Sequence, residues 1–334
     1  MNSKSLPNII LSIILLYLVS TSCSDSSYRK CEGAIWATTY HITYKSNRVL
    51  DDSILSVLQR VEMSLSPFAD NSLVTRINNN ATDETDSLFR RIFSASQQIS
   101  AQSRGAFDPT VAPLVNLWGF GYRNTGTEPD EASIDSALAL VGILECHIDD
   151  SGCLHKRASH TEFNFSAITK GYACDLVGEM LKRNGCNDYM VEIGGEVAIS
   201  GVNPRGDKWR IMIDAPIESD TAVVHKRMAV IEISDCGVAT SGNYRNFRTS
   251  AKGKSWHTIS PSTGRPAETA TLSVTIIAPN TMLADAYATA CMAMPTDSAT
   301  KFISAIPDVE ALLVTTDSAG YVMLPTPGFP AIAN

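Results

Sequence analysis

The stretch MLADAYATACMAM, from Met282 to Met294, has the composition of a buried helix, because alanine and methionine fill most of its positions. Asp285 and Thr289 lie within it, four positions apart, and this spacing places both side chains on one face of a helix. Core packing explains the apolar residues but not a carboxylate and a hydroxyl on the same face. One explanation is local, since Asp285 can serve as N-cap if the helix begins near Leu283.

The rest of the chain alternates between helical and strand-like patterns. Residues 34–46 are aromatic and β-branched and predict one strand. Strand patterns dominate after Glu145, where one strand is expected around Phe163, and a helix is expected after Lys170. Apolar residues at helical spacing predict three earlier helices, over 51–66, about 83–103 and 128–142. This order predicts an α+β fold with mixed, largely antiparallel sheets and packed helices.

Composition restricts the class of protein. The chain has 334 residues, of which 44% are hydrophobic and 19% charged, and these values are typical of a globular protein. The formal net charge of −8 argues against a general nucleic-acid surface. We therefore expect no nucleic-acid partner.

The N-terminus has the pattern of an export signal. Lys4 precedes an apolar run over 9–19, which is too short for a confident transmembrane helix. The run ends in STSC, which resembles a bacterial lipoprotein signal with Cys23 as the lipidated residue; an ordinary cleaved signal or an uncleaved anchor are the alternatives. We expect a signal peptide over 1–22, a tether over 23–33 and one catalytic domain over 34–334.

The eight cysteines do not have the spacing of a zinc site. Cys146 and Cys153 flank a turn-like stretch and can meet across a hairpin, where an oxidising compartment permits a disulfide without requiring it. Buried free thiols are expected for Cys174, Cys236 and Cys291.

Six irregular segments, rich in glycine, proline and short polar residues, follow one another along the chain. They are GAFDPTVAPLVNLWGFG (105–121), TKGYACD (169–175), IGGEVAISG (193–201), VATSGNYR (238–245), H-x-I-x-P-x-T-G (257–264) and ADAYATA (284–290). Each alone is explained by a turn, a bulge or a helix stop. Their joint order resembles the ApbE family of flavin transferases, and the matching stretches run from Trp36 to about Met294.

The resemblance implies a fold and a reaction. Family members have a two-lobed catalytic unit related to the T-fold, and they bind FAD and Mg²⁺ in the bacterial periplasm. They cleave the pyrophosphate of FAD, release AMP and attach FMN through a phosphoester to a threonine or serine of a target protein. Some members instead hydrolyse FAD to FMN and AMP.

The resemblance also implies a metal site. It makes Asp285 and Thr289 ligands of Mg²⁺, an ion that favours hard oxygen donors and shares its coordination shell with substrate phosphates. A third ligand falls at Ala167, which can offer only its carbonyl oxygen. Some relatives have a second aspartate where this chain has Ala288, so we expect a sparse protein shell and weak metal binding until FAD arrives.

Flavin-binding residues are carried over from the matching motifs. Lys170 is expected to pair with a flavin phosphate or with Asp175, or to be a surface lysine. The remaining expected contacts are Trp36, Phe68, Ala106, Phe107, Asp108, Asn164 and Ile259. Trp36 stands where methionine is usual, Phe68 offers a ring for stacking, and Asp108 an acceptor for a ring or ribose hydrogen bond.

His257 is the candidate general base, because a hydroxyl nucleophile needs a group that accepts its proton and imidazole titrates near neutrality. The alternative is a structural or surface histidine. The family usually has aspartate at the position of Ser260, so this residue does not orient His257 as an aspartate would.

The resemblance makes a flavin transferase the expected function, and the alternatives are an FAD pyrophosphatase and a lipoprotein that binds flavin without catalysis. The first acts on exported flavin-carrying subunits of membrane redox complexes through an FMN-binding domain. In each case the expected location is the cell envelope, facing the periplasm and held to a membrane by the N-terminal lipid.

Overall fold

Residues 27–123, 129–217, 225–244, 247–250 and 253–332 are described by a computed structural model. The predicted signal peptide over 1–22 and the predicted lipidation site Cys23 lie outside these ranges. No helix in the described part of the chain combines the length and the hydropathy needed to cross a lipid bilayer.

The architecture is an antiparallel sheet with helices on one face. The strands are β1 (Ser27–Ile35), β2 (Thr38–Ser46), β3 (His147–Ile148), β4 (Leu154–His155), β5 (Tyr189–Ile193), β6 (Glu196–Ser200), β7 (Trp209–Asp214), β8 (Arg227–Ile233), β9 (Cys236–Gly242), β10 (Phe247–Ser250), β11 (Gly253–Trp256), β12 (Ser273–Ala278), β13 (Glu310–Asp317) and β14 (Gly320–Pro325). The helices are α1 (Asp51–Leu65), α2 (Leu73–Asn78), α3 (Ser87–Gln102), α4 (Ala112–Leu117), α5 (Glu131–Leu138), α6 (Ser166–Arg183), α7 (Thr281–Met292) and α8 (Thr296–Ser304).

Eight strands form the main sheet in the order β1-β2-β5-β6-β9-β12-β13-β14, and every neighbouring pair is antiparallel. Alternate side chains of these strands belong to two different cores. In β6, Ala198 faces the large core under α1, α3, α6, α7 and α8, whereas Val197 and Ile199 face a smaller core covered by the β7–β8 hairpin.

The helices follow from the sequence pattern. Ile54, Leu58, Val61 and Leu65 of α1 recur at three- and four-residue intervals and are buried in the large core. α7 contains the opening stretch of the sequence analysis and is buried nearly all round, as its alanine and methionine content predicts.

The structure corrects two predictions at the N-terminal end. The single strand expected over 34–46 is a hairpin, because Trp36 and Ala37 adopt positive φ angles of 50° and 59° and form the turn between β1 and β2. The tether expected over 23–33 is wrong from Ser27 onward, since Ser27–Ile35 is an edge strand of the sheet. Its polar composition resembles a tether because an edge strand buries few side chains.

Two further predictions are corrected in the middle of the chain. No strand forms around Phe163, although the residue is buried. Its N–H donates to Asn78 Oδ1 at 2.8 Å, and its carbonyl accepts from Asn78 Nδ2 at 2.9 Å, so its backbone bonds a side chain and not a neighbouring strand. The helix expected after Lys170 begins earlier, at Ser166, so Lys170 lies within α6.

The cysteine prediction is partly confirmed. The seven described cysteines are free thiols, among which Cys174 and Cys291 are buried and Cys236 is half-buried. The hairpin between Cys146 and Cys153 is present as β3 and β4, but no disulfide joins its flanks.

Candidate active site

The centre of the site is a backbone contact between α6 and α7 at Gly171. A Cβ atom at this position would overlap the carbonyl oxygen of Thr281 and lie 2.9 Å from the Cβ of Asp285. Only glycine therefore permits the two helices to approach this closely. The approach lets the Gly171 N–H donate a hydrogen bond to Asp285 Oδ2 at 3.0 Å.

Asp285 and Thr289 lie on one face of α7, as the four-residue spacing predicts. The N-cap of α7 is Asn280, whose side chain accepts from the N–H of Leu283, so the N-cap explanation for Asp285 is wrong. Asp285 is only 3% exposed, whereas Thr289 is half-buried and its hydroxyl lies 3.4 Å from Ser241 Oγ of β9. The pair therefore joins a buried carboxylate to an accessible hydroxyl.

Lys170 reaches from α6 to the first residue of β6. Its ammonium lies 2.5 Å from Glu196 Oε1; the lysine side chain is 32% exposed and the glutamate side chain 5%. Glu196 follows the Gly194–Gly195 turn, and a Cβ on Gly194 would lie 3.2 Å from Lys170 Cδ. The second oxygen, Glu196 Oε2, is buried and has no hydrogen-bond partner among the described residues.

The three charges influence one another. Burial opposes the ammonium form of Lys170, but the carboxylates of Glu196 and Asp285 outweigh this effect and raise the pKa of the lysine. Burial raises the pKa of both carboxyls, and the charge of Lys170 opposes that rise. When both carboxyls are ionised, the site holds two negative charges and one positive charge.

Asp175 has a structural role at the start of α7. Its carboxylate accepts hydrogen bonds from the N–H groups of Thr281 and Met282, both at 2.8 Å. Burial raises its pKa to about 6, although these N–H groups stabilise the charged form. The expected pairing of Lys170 with Asp175 is therefore wrong, and the interpretation of Lys170 as a surface lysine does not fit its buried partner.

Trp36 lies at the turn beside the same glycines. The N–H of Gly194 donates to the carbonyl of Thr39 at 2.9 Å, which fastens the β1–β2 hairpin to the β5–β6 turn. The indole ring packs against the large core, and its Nε1 is buried without a hydrogen-bond partner in the described structure. A buried donor without a partner is costly in the protein alone and suits a ligand acceptor.

The segment 106–108 adjoins α6, but two of its side chains face inward. Phe107 is 2% exposed and belongs to the large core. Asp108 Oδ1 accepts from the N–H and hydroxyl of Thr110, and Oδ2 accepts from the N–H of Ile143. The Phe107 ring and the Asp108 carboxylate thus have structural contacts, and their flavin contacts stay a prediction, as does that of half-buried Ala106.

Asn164 and Ala167 lie at the start of α6. Asn164 accepts from the N–H of Ser166 at 2.9 Å, and its own N–H donates to the carbonyl of Pro109 at 2.8 Å. Ala167 is the second residue of the helix. Helical geometry directs its carbonyl toward the N–H of Gly171, which also donates to Asp285, so the carbonyl and the Asp285 carboxylate converge.

His257 follows β11 at a bend and is half-buried. The next residue, Thr258, donates to Asn243 Oδ1 at 3.2 Å, which places this loop beside the end of β9, where Ser241 meets Thr289. Ile259 packs in a small core with Leu114, Ile134 and Val141, and this burial supplies structural packing whether or not flavin binds.

Phe68 differs from the other aromatic residues because its side chain is 63% exposed. Its ring lies edge-on to Tyr122, with centroids 6.1 Å apart. It remains available for stacking on a planar ligand, as the sequence predicts.

The six motifs identified in the sequence form one contact network around α6 and α7. A model of the ApbE family matches residues 36–313. The chain belongs to the ApbE family. Among its relatives, a Vibrio cholerae FAD:protein FMN transferase is 32% identical over 272 residues, which cover 78% of this chain and 80% of that protein. The Escherichia coli K12 FAD:protein FMN transferase is 31% identical over 282 residues, or 82% of this chain and 79% of that protein.

Solved ApbE structures agree with the fold. The flavin transferase ApbE from Vibrio cholerae superposes with a TM-score of 0.79 at 29% identity and covers 91% of this chain and 98% of its own. The apo form of the Pseudomonas stutzeri flavinyl transferase ApbE has a TM-score of 0.79 at 32% identity, with 90% and 95% covered. The α+β, largely antiparallel fold and the ApbE resemblance are both confirmed.

Two residues of the site were not singled out from the sequence. Glu196 lies within the IGGEVAISG motif, and its position directly after two glycines was the available signal. Ser241 lies inside the VATSGNYR motif, where its hydroxyl was not distinguished from its neighbours.

Substituting Gly171→Ala tests the helix contact. The added methyl group overlaps the backbone of α7, so the free energy of unfolding should fall by about 2 kcal/mol, as for other overpacked sites. Urea unfolding measures the change. Arg183→Ala, at the exposed end of α6, should change it by less than about 0.5 kcal/mol. Equal stability of the Gly171 variant and the parent would contradict the contact.

Proposed function

We propose that the protein is an Mg²⁺-dependent FAD:protein FMN transferase. It transfers the FMN moiety of FAD to a threonine or serine hydroxyl of an acceptor protein. The bond that breaks joins the FMN phosphorus to the oxygen that bridges the two phosphorus atoms of FAD. A bond from the acceptor oxygen to the FMN phosphorus forms, and AMP leaves. The acceptor class is an exported flavin-carrying subunit of a membrane redox complex.

The observation that carries the proposal is the similarity to curated FAD:protein FMN transferases over about four-fifths of the chain. The residues expected to serve the reaction also lie on a shared scaffold. Lys170 and Asp285 are joined through adjacent residues of α6, and Thr289 adjoins the strand end that holds the His257 loop.

The donor set fits Mg²⁺. The described residues contain no group of three or more acidic, histidine or cysteine side chains that could hold a metal ion. Asp285, Thr289 and the Ala167 carbonyl instead supply three hard oxygens, and a divalent cation offsets the surplus negative charge of Asp285 and Glu196. When bound, Mg²⁺ would neutralise charge on the pyrophosphate. Phosphate and water oxygens complete such a shell, which is consistent with weak binding before FAD arrives.

The chain's own residues divide the remaining tasks. Lys170, part-exposed at its tip, places an ammonium beside the metal ligands and is suited to pairing with a flavin phosphate. His257 takes the proton of the acceptor hydroxyl, which makes that oxygen a competent nucleophile. Phe68 stacks on a ring of FAD, and Trp36 donates its unpaired indole N–H to an acceptor atom of the ligand.

The direct test mixes purified protein, FAD, Mg²⁺ and an acceptor domain and measures the mass of the acceptor. A gain equal to FMN less one water, with release of AMP, supports the proposal. Free FMN and AMP with an unchanged acceptor would identify an FAD pyrophosphatase. Flavin binding with neither product would identify a flavin-binding protein and contradict both enzymatic functions.

Asp285→Ala should abolish the Mg²⁺-dependent transfer, because it removes the only carboxylate of the proposed metal site. Acceptor mass after a fixed time measures the loss, which should exceed about a hundredfold. The control is Asp297→Ala, an exposed acid in the first turn of α8, which should retain parental activity. Undiminished transfer by the Asp285 variant would remove this residue from the metal site.

His257→Ala should slow transfer by about a hundredfold or more while leaving FAD binding within a few-fold, because a general base acts only on the chemical step. Initial rates and an FAD fluorescence titration separate the two effects. His160→Ala, at an exposed position, serves as the matched control. An equal loss of rate and affinity would make the role of His257 structural. One similar solved structure is a histidine-to-glycine mutant of the Vibrio cholerae flavin transferase.

We also propose that the mature protein is a lipoprotein anchored through Cys23 on the periplasmic side of the cell envelope. β1 begins at Ser27, so four residues of chain, at most about 15 Å, would separate the lipid from the sheet. Cys23→Ser should move the protein from the membrane fraction to the soluble fraction. Membrane retention of that variant would contradict the lipid anchor.

A further inference from the structure

The proposed site contains a buried ion pair that the transfer reaction does not by itself require. The carboxylates of Glu196 and Asp285 both act on the charge of Lys170, and that of Glu196 is in contact with its ammonium. Asp285 is bound to the N–H of the very next residue, Gly171. Within the described residues, the Lys170 ammonium forms an ion pair with Glu196 but not with Asp285.

The pairing of Lys170 with Glu196 affects how Asp285 can bind a cation. A lysine ammonium that pairs with a carboxylate competes with any cation for the same oxygens. If Lys170 turned to Asp285, the carboxylate would be neutralised inside a buried site. Glu196 offers the ammonium an alternative partner from β6.

The location of Glu196 suits that role. It shares a sheet face with Ala198, which contacts the core beneath α6 and α7. The positive φ angles of Gly194 and Gly195, 63° and 104°, form the tight turn that delivers its carboxylate under Lys170. The buried Oε2 has no partner among the described residues, so Glu196 is held there at a cost that its bond to Lys170 offsets.

We propose that Glu196 is a positioning residue that holds the Lys170 ammonium away from Asp285 and so keeps the Asp285 carboxylate available to a divalent cation. The inference rests on the proposed metal site at Asp285. It assigns Glu196 no contact with FAD, the metal or the acceptor.

A double-mutant cycle with Mn²⁺ as the probe tests the inference without any turnover. Mn²⁺ favours the same oxygen donors as Mg²⁺ and is counted by electron paramagnetic resonance. Glu196→Gln should weaken Mn²⁺ binding about tenfold, because Lys170 then pairs with Asp285. Lys170→Met should restore binding in the Glu196→Gln background by a much larger factor than it changes binding in the parent.

If the effects of the Glu196 and Lys170 substitutions on Mn²⁺ binding are not additive, Lys170 has changed its partner from Glu196 to Asp285. A simple loss of charge at a distance would change Mn²⁺ binding by the same factor with and without the other substitution. Glu179→Gln on α6, whose carboxylate pairs with Arg91, controls for charge removal and should leave Mn²⁺ binding within twofold. If Glu196→Gln does not fold at the titration temperature, Glu196→Asp, which withdraws the carboxylate by one methylene, replaces it in the cycle.

The outcomes distinguish failure of the proposed metal site from failure of the proposed role of Glu196. Mn²⁺ binding that is equal in the parent and in Asp285→Ala would overturn the proposed metal site, and the inference with it. Binding that requires Asp285 but shows additive effects of the Glu196 and Lys170 substitutions would overturn the inference alone. Strong coupling between the two substitutions supports it.

Discussion

The backbone contact between α6 and α7 at Gly171 is the constraint on which the rest of the site depends. Because no side chain separates the helices there, a helix N–H reaches the carboxylate of Asp285 directly. A second close approach, at Gly237 of β9, presses the start of α7 against the sheet, since a Cβ there would overlap the backbone of Thr281. Together the two glycines fix the position of α7 in the core, and with it the direction in which Asp285 and Thr289 point.

The same packing explains why charges can lie inside the protein. Isolated buried carboxylates are costly, and each one here is compensated in a different way. Asp175 accepts two N–H groups at the start of α7, Glu196 pairs with Lys170, and Asp285 accepts from Gly171. Within the described residues the Lys170 ammonium contacts Glu196 and not Asp285, so an ionised Asp285 keeps a negative charge that a cation would offset. This arrangement of charges is the physical basis of the proposed site for a metal and a diphosphate.

Patterns within short segments of the sequence predict much of this arrangement. Contacts between segments that are distant in the sequence could not be predicted in this way. The spacing of Asp285 and Thr289 predicts a shared helix face because helical periodicity is local, and the apolar periodicity of α1 predicts its buried side for the same reason. The pairing of Lys170 with Glu196 joins a helix to a strand and has no periodic signal. The Pro-Thr that follows Asp108 is typical of a capped turn, and the Asp108 side chain caps that turn in the structure. The sequence of β1 does not predict a strand, because an edge strand lacks the alternation of a buried one.

The central claim is that the junction of α6 and α7 holds the metal and the flavin diphosphate together. Anomalous diffraction from a crystal of the protein soaked with Mn²⁺, AMP and FMN tests it most directly. An anomalous peak is expected at about 2.1 Å, the Mg²⁺–oxygen distance, from oxygens of Asp285 and Thr289, with a phosphate oxygen in the same coordination shell. A peak at another place, or phosphates bound away from Lys170 and Asp285, would contradict it.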